Sequence, residues 1–253
     1  MPKINVFPAR QLLKRFFDYK FFVVVFLLAA VGLGFFVFLN YLKKTQYFCV
    51  RQVIVKPAQE CDLSYLNGRN IFSLCPDIEV QKILRNFPVY KRVKVVKVFP
   101  DRLFIEIVRR KPVALLKLRK YYCIDDDMVI FEATAADAGN KLPLIEGFEN
   151  RISGAQAGKR YNHKLLAYAL QVIKEFRSNP GLKGWPLRLV NAKSAVDFSL
   201  WLEPAVEIKF GIGDTARKFK TLSNLLPQIK KEWKQIKYVE LRFHEPIIKL
   251  KNE

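Results

Sequence analysis

Histidine and cysteine, the residues that most often build catalytic and metal centres, are scarce: two histidines and four cysteines in 253 residues. His163 and His244 are not in metal-ligand spacing. Cys49, Cys61, Cys75 and Cys123 are separated by 11, 13 and 47 residues, which is not the paired C-x-x-C pattern of a zinc site. Neither G-x-x-x-x-G-K-[ST] nor G-x-G-x-x-G occurs, so no phosphate-cradling loop supports nucleotide binding. Internal repeats and low-complexity stretches are also missing. A hydrolase would need a nucleophile with a base, paired carboxylates or spaced metal ligands, and the sequence offers none. Asp125, Asp126 and Asp127 lack the alternating ligand pattern of a calcium loop and read as a solvated turn. No residue is therefore assigned a catalytic, cofactor-binding or metal-binding role.

Acidic residues number 23 against 44 Lys and Arg, a formal charge of +21. The excess is spread through strand-like segments, with no dense basic stripe interleaved with exposed aromatics, which argues against nucleic acid. It suits anionic lipid head groups or acidic partner surfaces. In an oxidising compartment the four cysteines allow three pairings, of which Cys61 to Cys75 would close a loop worth roughly 3 kcal/mol. Buried free thiols are the alternative.

What the sequence does have is one long apolar run. No charged residue occurs from Phe21 to Leu42. As a helix at 1.5 Å per residue this run is roughly 33 Å long, matching a bilayer's hydrocarbon core of about 30 Å. A cleaved signal peptide would have a shorter apolar stretch ending at a small-x-small site, whereas Lys43-Lys44-Thr45-Gln46 follows here. The expectation is an uncleaved single-pass anchor over 21–42, with residues 1–20 as a cytoplasmic tail and everything after the span exported. Loop charge leans only weakly toward that orientation.

The remainder is long enough for one or two domains. VRQVIV (50–55) reads as a strand, and Leu63, Tyr65 and Leu66 suggest one helical turn inside a polar segment from Ala58 to Asn70. A helix follows, with Asp77 as candidate cap, an imperfect stripe of Ile78, Ile83, Leu84 and Phe87, and Pro88 as its stop. Residues 87–100 predict a Val-rich strand whose Val93, Val95, Val96 and Val98 break strict alternation, through a bulge or burial on both faces. RLFIEIVRR (102–110) follows, with Leu103, Ile105 and Ile107 on one face. The order βααββ makes a small domain over 48–118.

From 113 onward VALLKL, YYCI and MVIF form a meander. Asn162 to Phe176 is amphipathic, with Leu165, Leu166, Ala169, Val172, Ile173 and Phe176 on one stripe, stopped by Asn179-Pro180-Gly181. Strands are predicted at 187–192, 196–202 and 206–211. Asp214 caps a helix carrying Phe219, Leu222 and Leu226, which Pro227 bends or ends. YVELRF (238–243) and IIKL (247–250) close a mainly antiparallel domain over 119–253 with two helices. The fold class is α+β.

Several blocks, in their order, carry a resemblance: NIFSL (70–74), FPVYKRVKVVKVFPDRLFIEIVRRKPVALL (87–116), LPLIEG (142–147), VEIKFG (206–211) and YVELRF (238–243), behind an N-terminal anchor. The chain resembles the FtsQ/DivIB family of bacterial cell-division proteins. It departs from that family's pattern at Arg109, at Met128 where a turn glycine is usual, and at Glu240 in place of Asp. The resemblance implies a POTRA module, then a β domain whose last strands engage partners. It implies a non-enzymatic scaffold, without cofactor or small-molecule substrate, in the inner membrane at the division septum, meeting FtsB-like and FtsL-like proteins. A POTRA-containing outer-membrane assembly component and an anchored cell-wall enzyme are the rival readings. The former lacks the expected series of modules and the terminal barrel, the latter any catalytic set.

A sheet edge presents unpaired backbone groups that another chain can complete. The expected binding segment is Lys237 to Phe243, with Tyr238, Glu240 and Arg242 selecting a partner while Val239, Leu241 and Phe243 pack inward.

Overall fold

A computed structural model describes residues 19–57, 61–133, 141–203 and 206–251. The tail expected over 1–20 falls outside them up to residue 18, as does Ala58. Backbone packing divides the chain into two units, Met1–Val80 with Lys94–Glu106, and Gln81–Val93 with Ile107–Glu253.

The first unit begins with α1 (Tyr19–Lys44), whose segment Phe21–Lys44 is long and apolar enough to cross a membrane. From Phe21 to Phe38 its side chains are exposed, Phe26, Leu28, Val31 and Leu33 each by at least 66%, and only Leu39, Asn40 and Leu42 near its end are partly covered. Such a stripe-free helix needs an apolar solvent, and α1 fits a transmembrane anchor. A three-stranded sheet follows in the order β1-β3-β2, built from β1 (Gln52–Lys56), β2 (Tyr90–Val98) and β3 (Arg102–Arg109). β1 and β3 are parallel, with Gln52 opposite Arg102 and Lys56 opposite Glu106. Leu103, Ile105 and Ile107 are buried, as alternation predicts. A single 3₁₀ turn at Ser64–Leu66 buries Leu66.

Helix α2 (Pro76–Asn86) departs from its reading. Pro76 is its first residue, the backbone carbonyl of Cys75 accepts from Glu79 N, and Asp77 lies inside the first turn, not at the cap. Ile78 points outward, 64% exposed, while Glu79 is 5% exposed. Glu79 tolerates burial because Arg69 Nη1 donates to its Oε1 at 2.6 Å, and a buried carboxylate held by a guanidinium keeps its charge neutralised. Along β2, Val93 is buried but Val96 and Val98 are exposed, so this strand is not buried on both faces.

The second unit is a nine-stranded sheet in the order β12-β11-β10-β9-β8-β7-β4-β5-β6. Its strands are β4 (Ala114–Lys117), β5 (Tyr121–Ile124), β6 (Ile130–Phe131), β7 (Leu144–Glu146), β8 (Leu187–Ala192), β9 (Phe198–Leu202), β10 (Val206–Lys209), β11 (Ile236–Glu240) and β12 (Ile247–Leu250). Five pairings are antiparallel and three parallel. Two of the parallel pairings, β7–β8 and β10–β11, are joined by connections that contain α3 (Lys164–Ser178) and α4 (Thr215–Glu232), and the third, β4–β7, is joined through β5 and β6, since a parallel neighbour requires a crossover. Both helices bury their predicted stripes, Leu166, Ala169, Val172 and Ile173 on α3, and Phe219, Leu222 and Leu226 on α4, where Ile229 is buried as well. Each large side chain so buried is worth about 1.5–3 kcal/mol.

Pro227 does not end α4, which runs to Glu232. Burial of Leu226 and Ile229 on either side of it outweighs the one backbone hydrogen bond proline forfeits. The turn at Met128 forms without glycine: Met128 takes φ 61° and its N–H donates to Asp125 O at 3.2 Å. Asp125 Oδ1 stabilises this loop by accepting from Asp127 N at 3.0 Å and Val129 N at 2.8 Å. Asp125 is thus fully buried and paired with Arg110 at 2.6 Å, so the solvated-turn reading holds only for Asp126 and Asp127, which meet Lys91. All four cysteines are unbridged, and the Cys61–Cys75 disulfide is not formed.

Candidate functional site: the C-terminal end of the large sheet

β10, α4 and β11 form a strand-helix-strand unit, which places β11 parallel to β10 and inside the sheet. Tyr238 lies opposite Glu207 and Glu240 opposite Lys209 on one side of β11. On its other side Tyr238 lies opposite Lys249 and Glu240 opposite Ile247, antiparallel. The expected binding segment is therefore paired on both sides from Tyr238 to Glu240. The edge falls on β12 instead, because the chain turns back after Phe243 and adds one more strand.

The residues of that segment have distinct surroundings. β11 ends at Glu240, and Leu241 extends the pairing with β10 through Leu241 N to Lys209 O at 2.9 Å. Val239 and Leu241 are core, as read, but Phe243 is 60% exposed instead of packed inward. Tyr238 is half-buried under Lys209, whose Nζ sits 3.9 Å from the ring centroid, a cation–π contact that fixes the ring on the outer face. Glu240 is buried, not solvent-facing. Arg242 covers it, with Nε to Oε1 at 2.5 Å and Nη2 to Oε2 at 2.7 Å. Burial by itself would raise the Glu240 pKa, but the Arg242 hydrogen bond and charge prevail and hold it below the ordinary carboxylate value. The same bond holds Arg242 above the usual guanidinium value. Arg242 Nη1 also donates to Val196 O at 3.3 Å, and Arg217 Nη1 to His244 O at 3.3 Å, so a backbone carbonyl ahead of β9 and a side chain of α4 brace the β11–β12 connection.

The two ends of the sheet differ. At β6 the adjoining segment covers the edge: Gly158 N donates to Ile130 O, Ile130 N to Lys159 O, and Val129 bridges Arg160. β12 has β11 on one side and no strand on the other among the described residues. Ile248, Lys249 and Leu250 are half-buried, and Ile247, like Phe243, is mostly exposed. An open edge with two exposed apolar side chains can accept an extended segment through backbone bonds and side-chain contact together. IIKL (247–250) was legible as a strand beforehand. That it, and not YVELRF, lies outermost was not, although the strand-helix-strand order of β10, α4 and β11 was a usable signal.

Neither histidine stands in a catalytic arrangement. His163 caps α3, its Nδ1 accepting from Leu165 N at 3.2 Å, and His244 is exposed. The three aspartates at 125–127 can bring one oxygen each within 4.8 Å of one another, but Arg110 and Lys91 already meet them.

Residues 114–242, from the start of β4 to Arg242, match the model for "Cell division protein FtsQ/DivIB, C-terminal". The chain belongs to the FtsQ/DivIB family. It is 26% identical over 195 residues to "Cell division protein FtsQ" of Anaeromyxobacter sp. (strain K), covering 73% of this chain and 62% of that protein. A protein of the same description from Geotalea daltonii is 24% identical over 163 residues, 64% of this chain and 58% of its own. That of Escherichia coli (strain K12) is 25% identical over 167 residues, 64% and 55%. The matches thus span less than two thirds of the relatives' own lengths. The family match ends at Arg242, so the Glu240–Arg242 pair lies inside it and β12 just beyond.

Proposed function

We propose that this chain is a non-enzymatic, membrane-anchored scaffold of the cell-division machinery, joining other division proteins at the septum. In this reading the N-terminus is cytoplasmic and residues 48–118 and 119–253 are exported as POTRA-type and β domains. Division-protein relatives and an apolar anchor support it. The observation that carries the contact mode is the open β12 edge beside the braced Glu240–Arg242 corner. An extended segment of an FtsB-like protein, with its FtsL-like companion, adds to β12. Tyr238 and Arg242 hold the corner beside that edge through Lys209 and Glu240, Phe243 and Ile247 supply apolar contact, and Leu241 keeps the strand seated in the core.

The test is capture of the exported part of the same organism's FtsB-like protein by the full chain in detergent, comparing Ile247→Pro with Ile248→Pro. Adjacent residues of an edge strand send their N–H to opposite sides, so one proline removes a bond to β11 and the other only an outward donor. Loss of capture by the outward variant with an unchanged Tm supports strand addition at β12. Unchanged capture by both variants refutes it. Purified peptidoglycan is expected to stay intact on incubation with the chain, and its cleavage would overturn the scaffold reading.

A further inference from the structure

Three features of the first unit converge on one end of its sheet. The anchor is joined to the unit by a latch, not a free linker. Asn70 Nδ2 donates to Leu42 O at 2.9 Å and Thr45 O at 3.1 Å, the terminal carbonyls of α1 and its following turn, while its Oδ1 accepts from Phe72 N at 2.9 Å. Residues 48–50 are stitched to 68–71 through Ile71 N to Phe48 O, Val50 N to Arg69 O, Gly68 N to Val50 O and the Cys49–Asn70 bridge. Helix C-terminal carbonyls have no intrahelical partner, so a side chain that takes them fixes how the helix enters the unit.

The β2–β3 turn lies at this same end. β1 starts immediately after the latch, Gln52 lies opposite Arg102, and Asp101 O accepts from Arg51 N at 2.8 Å. That turn carries Phe99, 55% exposed, beside the exposed Val98. A chain of ring contacts links it to the anchor: Tyr47 to Phe48 at 5.1 Å, Phe48 to Phe72 at 4.9 Å and Phe72 to Phe99 at 5.3 Å between centroids. The same stretches carry cations, Lys43 and Lys44 in the last turn of α1 and Arg51 and Arg102 on either side of the acid Asp101. Exposed Tyr47 and Phe99, linked through half-buried Phe48 and Phe72 and accompanied by cations beside a membrane helix's end, match the head-group layer chemically: rings settle at the acyl boundary and cations on phosphates.

We propose that this end of the unit is a lipid-binding surface, seated by Tyr47, Phe72 and Phe99 on the anionic phospholipid face of the membrane that α1 crosses, with Asn70 holding the pose. Folded parts of the chain then leave the membrane at a set angle, which presents the unit's remaining surface to partners reproducibly. The proposal rests on α1 being a membrane anchor.

The experiment reconstitutes the full chain carrying Phe99→Trp or Phe35→Trp into vesicles of phosphatidylcholine, with and without phosphatidylglycerol, containing lipid brominated near the head group. Emission above that of the parent chain, which has Trp185, Trp201 and Trp233, reports each new position. The Phe99→Trp increment is expected to be mostly quenched, more so with phosphatidylglycerol, and to lose that gain when Arg51→Glu and Arg102→Glu are added. Quenching at position 35 without quenching at 99 overturns the seating and leaves the anchor standing. Absence of quenching at both positions overturns the anchor with it. Equal quenching in both lipid mixtures overturns the basic rim as part of the surface.

Discussion

Glu240 and Arg242, two residues apart, form a two-bond ion pair at the point where β11 ends, with Nε–Oε1 at 2.5 Å and Nη2–Oε2 at 2.7 Å. A carboxylate and guanidinium at this spacing in a continuous strand would share a face. Here the chain has just left β11, and the arginine folds back over a buried acid instead of reaching into solvent.

Arg242→Ala is expected to cost about 1–3 kcal/mol, because it leaves the Glu240 carboxylate buried without its cation. Glu240 is held below its ordinary pKa in the fold, so its contribution is present above about pH 4.3 and lost as pH falls through the folded value. Urea unfolding across pH 3–7 checks both points. The variant should lose stability at neutral pH and show a flatter acid limb, whereas parallel curves would remove Glu240 as the titrating group.

Two tyrosines should resist ionisation. Burial pushes Tyr65 and Tyr168 up to about 12, and the Tyr168 hydroxyl lies 3.2 and 3.3 Å from the carbonyls of Gly211 and Gly213. A tyrosine raised in the fold stabilises it fully below the unfolded pKa of about 10, and that contribution disappears as pH rises toward 12. Alkaline titration followed by tyrosinate absorbance should show a late-ionising component, reduced by one tyrosine in Tyr168→Phe.

Gly147→Ala should be among the most damaging single-methyl additions. Gly147 has φ +100°, and an added Cβ would stand 2.6 Å from Lys193 N and 2.7 Å from Ala192 C. Both are backbone atoms beside β8, which cannot move aside without breaking the β7–β8 pairing of Glu146 with Asn191. A cost of at least about 2 kcal/mol is expected. Thermal unfolding should show a Tm lowered by about 4–8 °C, and an unchanged Tm would refute this account.

The sequence alone determined what is local. Strict periodicity identified the stripe of α3, and all six of its residues are buried. The uncharged run from Phe21 to Leu42 became α1, and LRLVNA became β8 to the residue. Asp214 caps α4 as read, its Oδ1 accepting from Arg217 N at 3.0 Å. Each follows from interactions within a few residues of the chain: side-chain spacing, caps and charge. Tertiary structure alone decided which of two adjacent side chains turns inward, and which strand lies outermost. Ile78 yielded the core to Glu79 because Arg69, ten residues earlier, supplies a buried partner. Pro227 stayed inside α4 because Leu226 and Ile229 both had a core to enter. Tyr238 to Glu240 became interior to the sheet because β10 and β12, one on each side, take up their backbone groups, leaving β12 as the edge. A strand's alternation states which face is apolar, but its neighbours are chosen by contacts across the sheet, and no periodicity within the strand encodes them.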